Sequence, residues 1–210
     1  MGMPAAKRRY TVAEYLEMEL VAVEKHEFHD GEILAMSGGT YESSIINANL
    51  VSALHRLLQG KPCRVTDSNL RVRPLSLKRY VYPDMVIVCG PPAFDPLDVG
   101  RMTINNPSVV IEVLSRSTEA YDRGDKFRFY RELESMHEYV LVSEDRAMLE
   151  SFLRLPDGTW SFAAFAGVAG IAEIRSLHLR LPLADVYAGI EWPPPASDAE
   201  DMSGQMTVLE

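Results

Sequence analysis

The chain has 210 residues, a formal net charge of −9 and 47% hydrophobic residues. A hydrophobic share of this size supports a folded core and excludes disorder of the whole chain. The acidic balance excludes histone-like binding of nucleic acid through a basic arm, because that mode neutralises phosphates with a large surplus of lysine and arginine. A small local basic surface remains compatible with this composition.

The cysteine content and the hydropathy indicate a cellular compartment. Cys63 and Cys89 belong to no Cys-x-x-Cys or Cys/His pair, so we expect neither a structural zinc site nor a disulfide framework. No apolar run approaches the roughly 18 residues that cross a bilayer, and no apolar signal core follows the basic residues near the start. These features predict a protein of the reducing cytoplasm with no membrane partner.

The first half of the chain predicts a helix, a hairpin, a second helix and several strands. Thr11 and Glu14 form a capping-box pattern, so a helix is predicted to begin there. The Asp30-Gly31 pair supplies the turn of a hairpin over 24–36. Beyond Gly38-Gly39, apolar residues at helical spacing predict a helix over about 41–59. Short β-prone runs follow at 63–66, 69–73 and 85–89.

The second half predicts a central crossover. Residues 90–107 are rich in proline and are expected to form a surface loop, and 108–114 are apolar on both faces except for Glu112. Near-continuous apolar strands are typical of sheets covered on both sides. A helix at about 119–135 and the strand 138–143 complete a βαβ unit. A hairpin and a short helix over 183–188 follow. We predict an α/β (α+β) fold with a mixed β-sheet flanked by helices.

The domain organisation follows from these elements. One folded domain is predicted over 10–192, preceded by a flexible leader at 1–9. Residues 193–210 begin with three prolines, are acidic and contain few core residues, so we expect a disordered tail.

Two acids stand in predicted buried strands. Glu112 shares a strand face with Val110 and Leu114, and a carboxylate left unpaired there would cost several kcal/mol or take up a proton. Asp84 opens the strand that follows Pro83. Acids on neighbouring strands can converge on one hard cation, and Mg²⁺ is held by one or two carboxylates together with retained waters.

Lys126 is the third candidate. At 100° per residue it falls within the apolar stripe of the predicted helix, among Phe129, Tyr130 and Leu133, whereas Arg128 falls on the opposite side. A lysine centred on a buried face is unusual, and a helix that packs back onto the preceding strand would bring its ammonium to Glu112.

Each candidate also has a structural interpretation. Glu112 and Lys126 could form an ion pair without catalytic function, and Asp84 could cap a turn. The basic cluster could be a solvated strand face or could bind phosphate; it comprises Arg71, Arg73, Lys78 and Arg79. The five histidines show no metal-binding spacing and are interpreted as packing or surface residues. A phosphate-binding GxxxxGK[ST] loop is absent, so no nucleotide cofactor is expected.

The segments YPDMVIVCG and PSVVIEVLSRST, with DKFRFY after them, resemble the Uma2 (DUF820) family of restriction-endonuclease-like proteins in the PD-(D/E)XK nuclease superfamily. TVAEYLEME, HEFHDGEILAM and LPLADVYAGIE are also similar to that family, so the resemblance spans about residues 10–191. It implies a restriction-endonuclease-like mixed sheet flanked by helices, together with a Mg²⁺-dependent (or Mn²⁺-dependent) phosphodiesterase site.

The resemblance also implies residue roles. Asp84 and Glu112 would hold the metal ion, with the carbonyl oxygen of Val113 as a further ligand. The superfamily's lysine stands two residues after the second acid, where this chain has Leu114; Lys126 would take its place from the following helix. Glu27 matches an acid of the family's N-terminal segment and would position a water or a second metal ion. Relatives carry a histidine near the start of the long helix, where this chain has Ser43-Ser44.

The sequence thus predicts a metal-dependent endonuclease that acts on DNA, and a homodimer is expected because cutting two strands often pairs two sites. The alternative is a nuclease-fold protein that binds nucleic acid or a protein partner without cutting. The net charge and Leu114 favour this alternative.

Overall fold

The computed structural model describes residues 8–36 and 38–192. Ser37, residues 1–7 of the predicted leader and the predicted tail at 193–210 lie outside the described residues. The two described leader residues contact the folded domain: Arg8 pairs with Glu14 at 3.1 Å, and Arg9 donates to the carbonyl oxygen of Asp30 at 2.8 Å.

Thirteen strands and five α-helices make up the described part of the chain. The helices are α1 (Val12–Val21), α2 (Tyr41–Leu57), α3 (Glu119–Tyr121), α4 (Phe127–Tyr130) and α5 (Leu183–Val186), with a π-helical turn at Asp122–Lys126 and a 3-10 turn at Arg175–Leu177. The strands are β1 (His26–His29), β2 (Glu32–Ala35), β3 (Cys63–Thr66), β4 (Arg71–Val72), β5 (Arg79–Tyr80), β6 (Met85–Cys89), β7 (Thr103–Ile104), β8 (Val109–Leu114), β9 (Glu138–Ser143), β10 (Met148–Arg154), β11 (Trp160–Ala166), β12 (Ile171–Ile174) and β13 (Leu179–Pro182).

A six-stranded mixed sheet forms the centre, in the order β11-β10-β9-β8-β6-β3. β8 and β9 run parallel, and the other neighbouring pairs are antiparallel. The segment α3–π turn–α4, here named the crossover helix, connects the parallel pair. The predicted mixed sheet with a central βαβ crossover is therefore confirmed.

Both faces of the sheet are covered, as the apolar strands predicted. Alternate residues of β8 point to opposite sides because side chains alternate along a strand. Val109, Ile111 and Val113 join α2 in one core cluster. Val110 and Leu114 join the crossover helix in the other. Glu112 lies on the second face, beneath the crossover helix.

Helix α2 covers the first face together with β12, β13 and α5. Thr40 caps it by accepting a hydrogen bond from the Ser43 N–H, and its buried positions Ile46, Leu50 and Leu54 repeat at helical spacing. Among the described helices, none is both long and apolar enough to cross a bilayer.

A small sheet, β2-β1-β5, lies beside the central one. Its hairpin turns at Asp30 and Gly31, which have φ values of 50° and 102°, as the Asp-Gly signal predicted. Helix α1 begins with the predicted capping box of Thr11 and Glu14 and packs Tyr15 on Phe28 of β1. This packing fixes the strand that carries Glu27.

The prediction of a surface loop at 90–107 was wrong in part. Residues 103–104 form a strand that pairs with β4, and Asp95 and Asp98 are buried. Asp98 binds Arg71 at 2.8 Å. The proline content indicated the turns correctly. The burial of Asp95 and Asp98 depends on ion pairs with arginines more than 20 residues away in the chain, and no local sequence pattern predicts such pairs.

The expectation that the two cysteines form no disulfide was also wrong. Cys63 and Cys89 lie opposite one another on antiparallel β3 and β6 and form a disulfide. The expectation rested on spacing along the chain, whereas the pair is created by the register of two strands that are separated in sequence.

Candidate active site

A cavity of about 360 Å³ opens where the crossover helix, the small sheet and the start of α2 meet the edge of β6 and β8. All the metal-binding and catalytic candidates from the sequence line it, namely Glu27, Asp84, Glu112, Val113 and Lys126. The structure therefore brings together residues that are up to 99 positions apart in the chain.

One hydrogen bond joins Asp84 to Glu112, and a second joins Asp84 to Val113 on the same strand as Glu112. The register pairs Met85 with Ile111, so Asp84 lies opposite Glu112. The Asp84 N–H donates to Glu112 Oε2 at 3.1 Å, and the Val113 N–H donates to Asp84 Oδ2 at 2.7 Å. Two carboxylates are thus fixed side by side at the ends of neighbouring strands.

Lys126 lies against Glu112, as the helical periodicity predicted. Its Nζ is 2.9 Å from Glu112 Oε1 and 3.4 Å from Asp122 Oδ1, and it donates to the carbonyl oxygen of Tyr82 at 3.3 Å. These partners match the three hydrogens of an ammonium group. Tyr130 donates a further hydrogen bond to Glu112 Oε1 at 2.9 Å.

The crossover helix widens into a π turn at Asp122–Lys126. Asp122 and Lys126 both face the cavity and are 3% and 6% exposed. π turns inside helices are frequent at functional sites. The predicted helix therefore exists, but it ends near Tyr130 instead of 135, and its middle departs from ideal α geometry.

Burial and crowding of charge displace the pKa values of these groups. Burial raises the pKa of Glu112 well above its ordinary value; Lys126 opposes this shift, and Asp122 and Asp84 add to it. Burial also raises the pKa of Asp84, against Lys126 and the Val113 N–H. Burial alone would lower the pKa of Lys126, but the carboxylates around it raise the value instead. Lys126 is therefore an ammonium at neutral pH.

Glu27 enters the cavity from β1 with its own hydrogen-bond partners. Its Oε2 is 3.0 Å from His29 Nε2 and accepts from the Tyr121 hydroxyl at 3.0 Å, while Oε1 accepts from the Tyr82 N–H at 3.1 Å. Burial acts to raise the pKa of Glu27, but the hydrogen bond to His29 and the charge of Lys126 hold it below its ordinary value. Glu27 is accordingly a carboxylate at neutral pH.

None of the four residues of the basic cluster lines the cavity. Arg71 is fully buried against Asp98, and Arg73 binds both oxygens of Asp95 at 2.9 Å. Arg79 pairs with Asp30 at 3.1 Å, and Lys78 is exposed. Arg71 is thus part of the interior and cannot reach a phosphate in this fold. It belongs neither to a solvated strand face nor to a phosphate-binding surface, the two interpretations that the sequence allowed.

The oxygen ligands of the cavity suit a hard divalent cation that needs only one or two carboxylates from the protein. Four carboxylates line the cavity with one ammonium: Glu27, Asp84, Glu112 and Asp122. Asp84 Oδ1 accepts no hydrogen bond from the described residues. Residues 8–36 and 38–192 contain no group of three or more acidic, histidine or cysteine side chains arranged to hold a metal ion. Asp84 and Glu112 would be the two carboxylate ligands, which is sufficient for Mg²⁺ when waters complete the shell.

A stability measurement without metal should detect the unfavourable burial of the Asp84 carboxylate. Its raised pKa means that the native state is favoured by protonation, so stability is lost as pH rises through the native pKa. We expect Asp84→Asn to exceed the wild type in free energy of unfolding by about 0.5–2 kcal/mol at pH 8, with the difference vanishing near pH 4. Urea unfolding in EDTA measures this, with exposed Asp125→Asn as control. A less stable Asp84→Asn at pH 8 would contradict the assignment.

Sequence reasoning missed several residues of the cavity. Asp122 had a usable signal, since on the helical wheel it falls between Phe129 and Leu133 and so belongs to the buried stripe. His29 was interpreted as a packing or surface residue, but it contacts Glu27 and Tyr121. Tyr82 and Tyr121 also line the cavity, but they carried no comparable signal in the sequence, because buried tyrosines are common in protein cores.

Comparison with known proteins identifies the family. Residues 12–183 match the Uma2 family, which is described as "Putative restriction endonuclease". The chain belongs to the Uma2 family. Two proteins of Synechocystis sp. are similar over most of their lengths. Uncharacterized protein slr1290 is 34% identical over 84% of this chain and 90% of its own length. Uncharacterized protein sll1609 is 30% identical over 80% of this chain and 93% of its own length.

A solved structure extends the comparison to the fold. The crystal structure of a putative nuclease belonging to DUF820, from Anabaena variabilis, superposes with a TM-score of 0.66 at 16% identity, covering 85% of this chain and 97% of that chain. The nuclease-like fold of this Uma2 protein is therefore established, as the resemblance implied.

Proposed function

We propose that this Uma2 protein is a metal-dependent endonuclease that hydrolyses phosphodiester bonds of DNA. The contact between Lys126 Nζ and Glu112 Oε1, at 2.9 Å inside a cavity that Asp84 also lines, carries the proposal. A structural ion pair would need no cavity beside it and no second carboxylate held in register. The buried acid Glu138 illustrates the difference, because Ser151, Ser176 and the Arg175 N–H occupy its oxygens and it lines no substrate-sized cavity among those described.

In this proposal Asp84 and Glu112 hold Mg²⁺ or Mn²⁺, with the Val113 carbonyl oxygen as an additional ligand. A bound divalent ion polarises a phosphoryl oxygen and lowers the pKa of a water. Glu27 accepts a hydrogen bond from the attacking water and so orients it. Tyr121 and His29 hold the Glu27 carboxylate in place.

Lys126 has the role of a cation in this proposal. Because it is already protonated at neutral pH, it does not remove a proton from water. Its ammonium opposes the rise in the pKa of Glu112 that burial causes, and it offsets negative charge that develops on the phosphoryl oxygens. This role requires one of its three hydrogen bonds, to Glu112, Asp122 or Tyr82, to be exchanged for the substrate.

The same proposal places the protein in the cytoplasm with DNA. It also pairs two copies of the chain, because cutting both strands of a duplex often pairs two active sites. Sedimentation of the purified protein with and without duplex DNA would test the pairing.

A nuclease-fold binding module that does not cut is the second candidate. Leu114 favours it, since this residue replaces the superfamily's lysine and is packed in the apolar cluster of the crossover helix. Metal uptake separates the two functions, because a module without catalysis has no need of a divalent ion.

Titration calorimetry with Mn²⁺ provides the test. We expect the wild type to bind Mn²⁺ with an affinity that rises from pH 5 to pH 8, because the raised pKa values of Asp84 and Glu112 make protons compete with the metal. Glu112→Gln should lose the binding heat, whereas Glu138→Gln, with its buried acid outside the cavity, should keep it. A folded wild type that takes up no Mn²⁺ at pH 8 would favour the binding module.

A further inference from the structure

The start of helix α2 forms a wall of the cavity that the metal-binding residues leave unused. Gly38, Gly39 and Ser43 line the cavity there. The helix has 17 residues and is capped by Thr40. Its first N–H groups, at Tyr41 and Glu42, have no partner within the helix, and the helix dipole gives this end a partial positive charge.

Ser43 adds a free hydroxyl to this wall. The residue is 8% exposed, and its N–H is bonded to Thr40 Oγ1 at 3.0 Å, yet its Oγ makes no hydrogen bond to any described residue. A Cβ built on Gly39 would lie 3.5 Å from that Oγ, so the hydroxyl faces the open side of the glycine. The neighbouring Ser44, in contrast, is exposed and donates to the Thr40 carbonyl oxygen at 2.9 Å.

The acids near this helix end face a different depression. Glu42 and Glu144 line a separate site together with Arg116, and neither acid lines the cavity that contains Ser43. Thr40 donates to Glu144 at 2.8 Å, which directs its lone pairs toward the Ser43 N–H. The cavity side of the helix start therefore presents hydrogen-bond donors and no carboxylate of its own.

We propose that this helix start binds a phosphate group of the nucleic-acid backbone, adjacent to the bond that is cut. The proposal rests on the nuclease function above and names the subsite that holds the substrate. Ser43 donates its hydroxyl hydrogen to a phosphate oxygen, and the start of α2 contributes the positive end of its dipole. Neutral donors of this kind explain how a chain with a net charge of −9, whose Arg71 and Arg73 pair internally, can hold a polyanion.

Fluorescence anisotropy of a labelled single-stranded oligonucleotide tests the subsite. The measurement uses the Asp84→Asn protein without metal, so that binding is separated from cleavage. We expect Ser43→Ala in this background to weaken binding about 3- to 10-fold, as for the loss of one hydrogen bond. Ser44→Ala should leave the affinity unchanged. An affinity of Ser43→Ala within twofold of Ser44→Ala would overturn the proposal.

A glycine pair provides a second comparison. Gly39→Ala places a methyl group at ordinary contact distance from the Ser43 hydroxyl and covers it, so we expect a loss like that of Ser43→Ala. A methyl group at Gly38 meets nothing within 4 Å and should have a smaller effect. Equal effects of the two alanines would count against a phosphate at Ser43.

Inorganic phosphate separates this inference from the nuclease function. If the wild type cleaves no DNA in Mg²⁺ or Mn²⁺, the nuclease proposal fails, and a phosphate titration followed by amide chemical shifts then decides the subsite alone. Shifts at residues 41–43 that disappear in Ser43→Ala support a phosphate site. Their absence in the parent protein would overturn it.

Discussion

Asp84→Asn should lower DNA cleavage in Mg²⁺ or Mn²⁺ by about 10³-fold or more, because a bound metal ion contributes several kcal/mol to the transition state. The substitution keeps an oxygen that can accept from the Val113 N–H, which donates to Asp84 at 2.7 Å, so the strand geometry should persist. Cleavage of single-stranded, nicked and duplex DNA, followed on gels, measures the loss.

The control lies on the crossover helix. Asp125→Asn removes one negative charge from a side chain that is 69% exposed and outside the cavity, so it should cleave like the wild type. Cleavage by Asp84→Asn at the wild-type rate would remove Asp84 from the site. If urea unfolding shows that Asp84→Asn is at least as stable as the wild type, as expected without metal, its loss of activity is not caused by unfolding.

The fold was largely predictable because its strongest signals are local. Apolar strands at 85–89 and 108–114, the capping box at Thr11 and the Asp30-Gly31 turn each appear in the structure where the sequence placed them. The pairs that sequence reasoning missed are set by long-range register. Cys63 meets Cys89 because β3 pairs with β6, and no spacing rule contains that information.

The candidate site was predictable in part for a different reason. A charged residue on an apolar face violates the local pattern, and Glu112 and Lys126 both do so. Asp122 violates it too, and because it lies four residues before Lys126, helical spacing alone places it beside that ammonium. The hydrogen bonds of Glu27 depend on the docking of the small sheet and the crossover helix, and no segment of sequence specifies that arrangement.

Lys126→Met should abolish cleavage and also destabilise the protein. Removing the ammonium leaves Glu112, which is 2% exposed, as a buried carboxyl group without its cation. Breaking one side of a buried pair typically costs about 3–5 kcal/mol. Because the pKa of Glu112 is raised already and would lose the opposing effect of Lys126, protonation should relieve the cost at low pH, and the loss of stability should grow as pH rises.

The double variant Glu112→Gln/Lys126→Met distinguishes a structural from a catalytic role for the pair. It removes both charges, while the amide oxygen of the introduced glutamine would still accept from the Tyr130 hydroxyl or the Asp84 N–H. We expect most of the lost stability to return, with a coupling free energy of about 1–3 kcal/mol, and cleavage to stay absent. Arg128→Met is the control, because it removes a cation from an exposed position of the same helix and should change neither stability nor cleavage as much as Lys126→Met. If the stabilised double variant regained cleavage, the pair would hold the fold together without taking part in the reaction.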